Sequence, residues 1–172
     1  MSRTYIFDTT EKLVRTCGTR DPFLLLDGLG VTVLRSDRYR HLKGFCACLN
    51  RSYYVMINAL LPEDEQRIVA AHELGHFLLH KKRLALAPMR DTALYGMKQT
   101  EEYEANLFAA DLLMTDEEIL RYTEYENADI FTLCRALRVP PELMSFKTFS
   151  MITRGHRELR LPMDLESTFL AK

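Results

Sequence analysis

"IVAAHELGHFLLH", residues 68–80, decides how this chain is read. Small and apolar residues surround one glutamate and three histidines: Glu73, His72, His76 and His80. The run reads as a helix. Pro62 with Glu63, Asp64 and Glu65 suits its start, and Lys81, Lys82 and Arg83 suit its end. On a helix, residues four apart stand one turn above each other, so His72 and His76 share a face with Cβ atoms about 5–6 Å apart. Their ring nitrogens can converge on one ion at roughly 2.0–2.1 Å, the distance of a zinc–imidazole bond. Glu73 is turned about 100° around the axis. It misses the ion and reaches a water that the ion activates, the general-base position of a metal-dependent peptidase.

Two histidines do not complete such a site, because catalytic zinc takes three protein ligands and keeps one position open. His80 lies on the same face as His76, but it is eight residues beyond His72, a rise of about 12 Å. A place behind the ligands suits it better. The stronger source is "TEEYEANLFAADLLM", residues 100–114. Its apolar residues Leu107, Phe108, Leu112 and Leu113 let it pack on the histidine helix and turn one carboxylate inward. Glu104 shares a face with Phe108, Glu101 stands one turn earlier, and Glu102 is expected to point elsewhere. Periodicity leaves Glu104 and Glu101 both open.

Outside these two helices, "FDTTEKLVRTCG" predicts a first helix capped by Asp8 with Glu11 completing the capping box, stopped by Gly18. "RDPFLLLDGLG" predicts a short second helix with Asp21 as N-cap, and "VTVL" at 31–34 a strand. "LKGFCACLNRSYYVMIN", 42–58, reads as a hairpin turning at "NRS". Residues 84–99 read as a long loop, and from residue 100 the chain turns helical. Strands early and helices later predict an α+β fold, a small mixed or antiparallel sheet plus helices. A metal-binding core over 1–114 is followed by a helical segment over 115–172 that packs on it as one compact domain.

The bulk numbers exclude several functions. The 23 basic and 24 acidic residues leave a net charge of −1, without the basic footprint of a nucleic-acid binder. Cys17, Cys46, Cys48 and Cys134 form no C-x-x-C pair and read as reduced thiols. There is no basic-then-apolar leader and no apolar run of ~20 residues, so a cytoplasmic protein away from the membrane is expected.

"HELGHFLLH", followed some twenty residues later by "EYEANLFAADLLM", resembles the ImmA/IrrE family of zinc metallopeptidases. The resemblance covers roughly residues 20–150, including "RDPFLLLDGLGVTV", the hairpin with "VMIN" and "LCRALRVPPELM". It implies a minimal thermolysin-like, gluzincin-type core holding Zn2+. His72, His76 and Glu104 would be the ligands and Glu73 the base. Family members typically cleave a helix-turn-helix (XRE-type) repressor, relieving repression of phage, mobile-element or stress genes. One departure is visible: the family usually has proline after L-L-M, where this chain has Thr115, a good N-cap for the helix that follows.

The oxyanion of such a reaction needs the metal plus one donor. Tyr95, Tyr103 and His156 are the candidates. The strand "SYYVMIN" is read as an edge that could hold substrate by strand addition, against ordinary packing of Tyr53 and Tyr54. Residues 84–99 are read as a lid or a plain connection. A different class of function, an antirepressor that only sequesters its target around a structural zinc, leaves Glu73 without a purpose. Direct DNA binding by 133–155 would rest on Arg135, Arg138, Lys147 and Arg154 alone.

Overall fold

The structure is a computed structural model and describes residues 3–84, 89–91, 100–123 and 129–156. It is α+β, with eight helices and a four-stranded mixed sheet among the described residues. Helix α1 spans Arg3–Cys17 and α2 spans Pro22–Gly28. The start of α1 lies upstream of the expected Asp8 cap. No proline or glycine interrupts residues 3–8, and Ile6 is buried, which anchors the extra turn. Asp21 caps α2 by accepting from the amides of Phe23 and Leu24 at 2.8 and 3.1 Å.

Strands β1 (Thr32–Ser36), β2 (Gly44–Leu49), β3 (Ser52–Asn58) and β4 (Met89–Asp91) stand in the order β1-β3-β2-β4. The β2–β3 hairpin turns on Asn50 and Arg51, both left-handed at φ 51° and 64°. Positive φ at two central residues gives the tight turn whose twist matches the strands. β1 joins β3 in parallel, Thr32 beside Tyr54 and Ser36 beside Asn58. β3 is therefore an interior strand, which corrects its reading as an edge open to strand addition. Tyr53 instead packs edge-on against Phe77, ring centroids 5.0 Å apart. Of the expected loop over 84–99 the structure describes residue 84, which is helical, and residues 89–91, where β4 pairs antiparallel with β2 at Gly44–Cys46.

Helix α3 (Glu63–Leu79) lies under this sheet and α4 (Lys81–Leu84) follows it. Helix α5 (Thr100–Leu113) packs along α3. Both are buried nearly all round, as helices at the centre of a fold must be. The close approach is built from small residues. A Cβ on Gly75 would meet Ala105 Cα at 3.1 Å and Ala105 O at 3.2 Å.

Helices α6 (Asp116–Thr123), α7 (Ile130–Leu137) and α8 (Pro141–Thr153) complete the chain. Thr115 caps α6 in a reciprocal box: Glu118 N–H donates to Thr115 Oγ1 at 3.1 Å, and Thr115 N–H to Glu118 Oε2 at 2.8 Å. Helix α8 packs against α5 and α1. Beneath it Lys147, fully buried, donates to Asp111 at 3.0 Å and pairs with Asp116 at 2.7 Å. Arg154 holds Asp116 with two hydrogen bonds of 2.6 and 2.9 Å. Two of the four basic residues considered for DNA contact are thus engaged inside the protein. No described helix is long and apolar enough to cross a membrane.

Candidate metal centre

The sequence places His72 and His76 one turn apart, and α3 keeps them there. Their Nε2 atoms lie 2.9 Å apart, both rings essentially without solvent exposure. From α5 comes Glu102, with one oxygen 3.3 Å from His72 Nε2 and the other 3.4 Å from His76 Nε2. Ligand atoms of His72, His76 and Glu102 all fall within 4.8 Å of one another.

Glu104, the expected third ligand, is not the carboxylate the structure brings to this pair. Residues two apart on a helix are separated by about 200°. Glu102 and Glu104 therefore stand on opposite flanks of the Ala105 ridge that meets Gly75. Glu104 accepts from His80 Nε2 at 2.9 Å. Burial pushes the Glu104 carboxyl up, but its hydrogen bonds, that from His80 among them, hold it below the ordinary range. Glu101, the other open candidate, pairs with Arg83 at the surface.

Each histidine is steadied through its other nitrogen. His72 Nδ1 lies 2.9 Å from Asn106 Oδ1. A carbonyl oxygen only accepts, so with the amide so oriented Nδ1 carries the proton and Nε2 presents a lone pair. His76 Nδ1 lies 3.2 Å from His80 Nδ1. Burial pushes the His76 imidazole down to about 4, against the opposing pull of Glu102, so the ring is neutral at pH 7. Burial pushes the Glu102 carboxyl up, but the two imidazoles facing it outweigh burial and hold it well below the usual carboxylate range. Two imidazole nitrogens and a carboxylate oxygen thus converge on one point. That donor set suits a divalent cation of the zinc type, two nitrogens and an oxygen.

Glu73 is fully buried on the sheet side of α3. Its Oε1 lies 3.3 Å from where a Cβ on Gly44 would sit, though such a Cβ would clash first with Val69 Cγ1 and with Met56 O at 3.0 Å. Burial, with the Glu73 charge second, raises the Cys46 thiol far above its ordinary value and leaves it unreactive. Glu102 has 18% of its side chain exposed, so the cluster meets solvent on that side.

The expected oxyanion donors lie elsewhere. Tyr103 packs on Phe146 and Phe149 of α8, centroids 5.6 and 6.2 Å away. His156 sits 3.5 Å from Asp116. Tyr103 faces away because α5 turns its Glu102 flank to α3 and its Tyr103 side to α8, and His156 follows the end of α8. Tyr95 lies outside the described residues. Sequence reasoning missed Glu102 and Asn106. Their spacing carries a signal, because residues i and i+4 flanking Ala105 and Ala109 mark the face that approaches Gly75.

Residues 26–149 match the profile of the IrrE N-terminal-like domain family. An uncharacterized immunity region protein 2 of Bacillus phage phi105 is 31% identical over 150 residues, 86% of this chain and 91% of that protein. Metallopeptidase ImmA of Bacillus subtilis (strain 168) is 28% identical over 113 residues, 62% of each chain.

Proposed function

Because the chain belongs to the IrrE N-terminal-like family of metallopeptidases, we propose that it is a zinc-dependent endopeptidase of the HExxH class. Its ligands are His72, His76 and Glu102, and its base is Glu73. The observation that carries this reading is the convergence of three lone-pair donors beside a buried carboxylate. When bound, the ion supplies Lewis acidity: it makes a water acidic near neutral pH and draws charge from the peptide carbonyl. The rest falls to the chain's own residues. Asn106 and His80 hold the two rings so that Nε2 faces inward. Glu73 takes the proton from the attacking water and returns it to the leaving amine.

The substrate proposed is a helix-turn-helix repressor, as the family resemblance implies. A relative named for a phage immunity region supports a target in phage or mobile-element control. The test uses the zinc-loaded chain, the repressor encoded nearest its gene and intact-mass measurement over time. Two fragments summing to the repressor plus one water, absent with Glu73→Gln, support the peptidase. A repressor that stays intact but co-elutes with both versions sinks it in favour of sequestration.

A further inference from the structure

His76 is held from behind by a chain of two residues that ends outside the ligand set. His80 is the residue at which α3 ends, with φ −121° and ψ 24° and its amide still bonded to His76 O at 2.9 Å. Leaving the helix there lets its ring turn back toward His76, centroids 5.3 Å apart. The contacts then run in series. His76 Nδ1 meets His80 Nδ1 at 3.2 Å, and His80 Nε2 meets Glu104 Oε2 at 2.9 Å. All three side chains are buried.

The proton inventory allows one arrangement once His76 offers Nε2 to a cation. A neutral imidazole carries a single N–H. His76 must then hold it on Nδ1 and donate to His80 Nδ1. The proton of His80 is left on Nε2, where it donates to Glu104. An ionised carboxylate only accepts, so the chain ends there with every N–H matched. Without Glu104, His80 is free to carry its proton on Nδ1. That proton would face His76 Nδ1, drive the His76 proton to Nε2 and block the ligating lone pair. Helix α5 therefore supports both histidines, His72 through Asn106 and His76 through Glu104 and His80.

We propose that Glu104 and His80 form a positioning pair that fixes His76 in its Nδ1-protonated tautomer and so sets the affinity of the centre for its cation, neither residue being a ligand. This rests on the metal-centre reading above. Supports of this kind change metal affinity by roughly 10–100-fold when removed.

The experiment is zinc binding to the full chain, measured by competition with a chromophoric chelator, with unfolding midpoints of the same metal-free variants. Glu104→Ala and His80→Ala are each expected to weaken zinc binding by roughly 10–100-fold, and the double variant no further than the weaker single, since both break one chain. Glu104→Gln keeps an acceptor oxygen for His80 and is expected to stay within about threefold of wild type. Visible spectra of the cobalt-substituted variants should keep the wild-type band positions, because the ligands are unchanged. Wild-type affinity in both alanine variants, or additive losses in the double, would overturn the pairing. A loss as complete as in Glu102→Ala would make them ligands and overturn it too. His80→Ala with Glu104 intact keeps the comparison if Glu104→Ala does not fold. Should the wild-type chain bind no zinc, with Glu102→Ala indistinguishable from it, the metal-centre reading itself falls and takes the proposal with it.

Discussion

Gly75→Ala tests how the two central helices set the metal centre. A methyl group at Gly75 would lie 3.1 Å from Ala105 Cα, 3.2 Å from Ala105 O and 3.2 Å from Phe108 Cδ1. Carbon atoms prefer about 3.5–4.0 Å, so the deficit is roughly half an ångström. Two of the three obstructing atoms are backbone and cannot rotate away. Relief has to come from α3 and α5 moving apart. Two opposing effects then act on stability: alanine favours the helix by about 1 kcal/mol, and overpacking costs about 1–3 kcal/mol. The expected net change in the metal-free chain is a loss of ~0–2 kcal/mol. The metal is affected more. His72 and His76 ride on α3 and Glu102 on α5, so the same separation enters the ligand set directly. Metal–ligand distances tolerate about 0.2 Å. A loss of at least about tenfold in zinc affinity is therefore expected beside a small change in unfolding midpoint. Chelator competition and urea unfolding on the same preparation read both. Gly28→Ala, where a Cβ meets nothing within 4 Å, is the control and should change neither by much. Unchanged zinc affinity together with a stability gain of about 1 kcal/mol in Gly75→Ala would refute the reasoning.

Two further outcomes are expected. Lys147→Met should cost about 3–5 kcal/mol in urea unfolding, because it removes the hydrogen-bonded cation from buried Asp111, which keeps Ser150 and the more distant Arg154 at 4.0 Å. Adding Asp111→Asn to that variant should recover much of the loss; a double variant as unstable as the single would place the cost in packing instead. The second outcome concerns pH. Burial lowers His76 to about 4 from an ordinary 6.5, so below that ordinary value the native state binds fewer protons than the unfolded chain. Stability from this residue is full above about pH 6.5 and is lost as pH falls toward 4, to the extent of about 3 kcal/mol. Unfolding of the metal-free chain at pH 7.5 and pH 4.5 measures it. His76→Gln should flatten that part of the profile, and an equal slope in the variant would assign the loss to other groups.

Much of the centre can be read from local spacing. His72 and His76 meet because four residues make one turn, and Glu73 leaves their face because one residue makes about 100°. Asp21, Thr115 and the Asn50–Arg51 turn are legible for the same reason: each acts on backbone groups within a few residues of itself. The start of α1 was less legible, since nothing in residues 3–8 stops a helix and only the burial of Ile6 shows that it continues.

The carboxylate that meets the two histidines is of another kind. Glu101, Glu102 and Glu104 all sit in the first turns of one helix, and which of them meets the histidines depends on how α5 is rolled about its axis. That roll follows from the contact of Gly75 with the Ala105 backbone, between helices thirty residues apart in the chain. Likewise β3 looks like an edge strand until β1, arriving in parallel from earlier in the chain, covers it. Short-range geometry lies in the residue spacing itself. The roll of one helix on another and the neighbours of a strand come from close packing across the core, where a single absent side chain chooses the carboxylate that faces the two histidines.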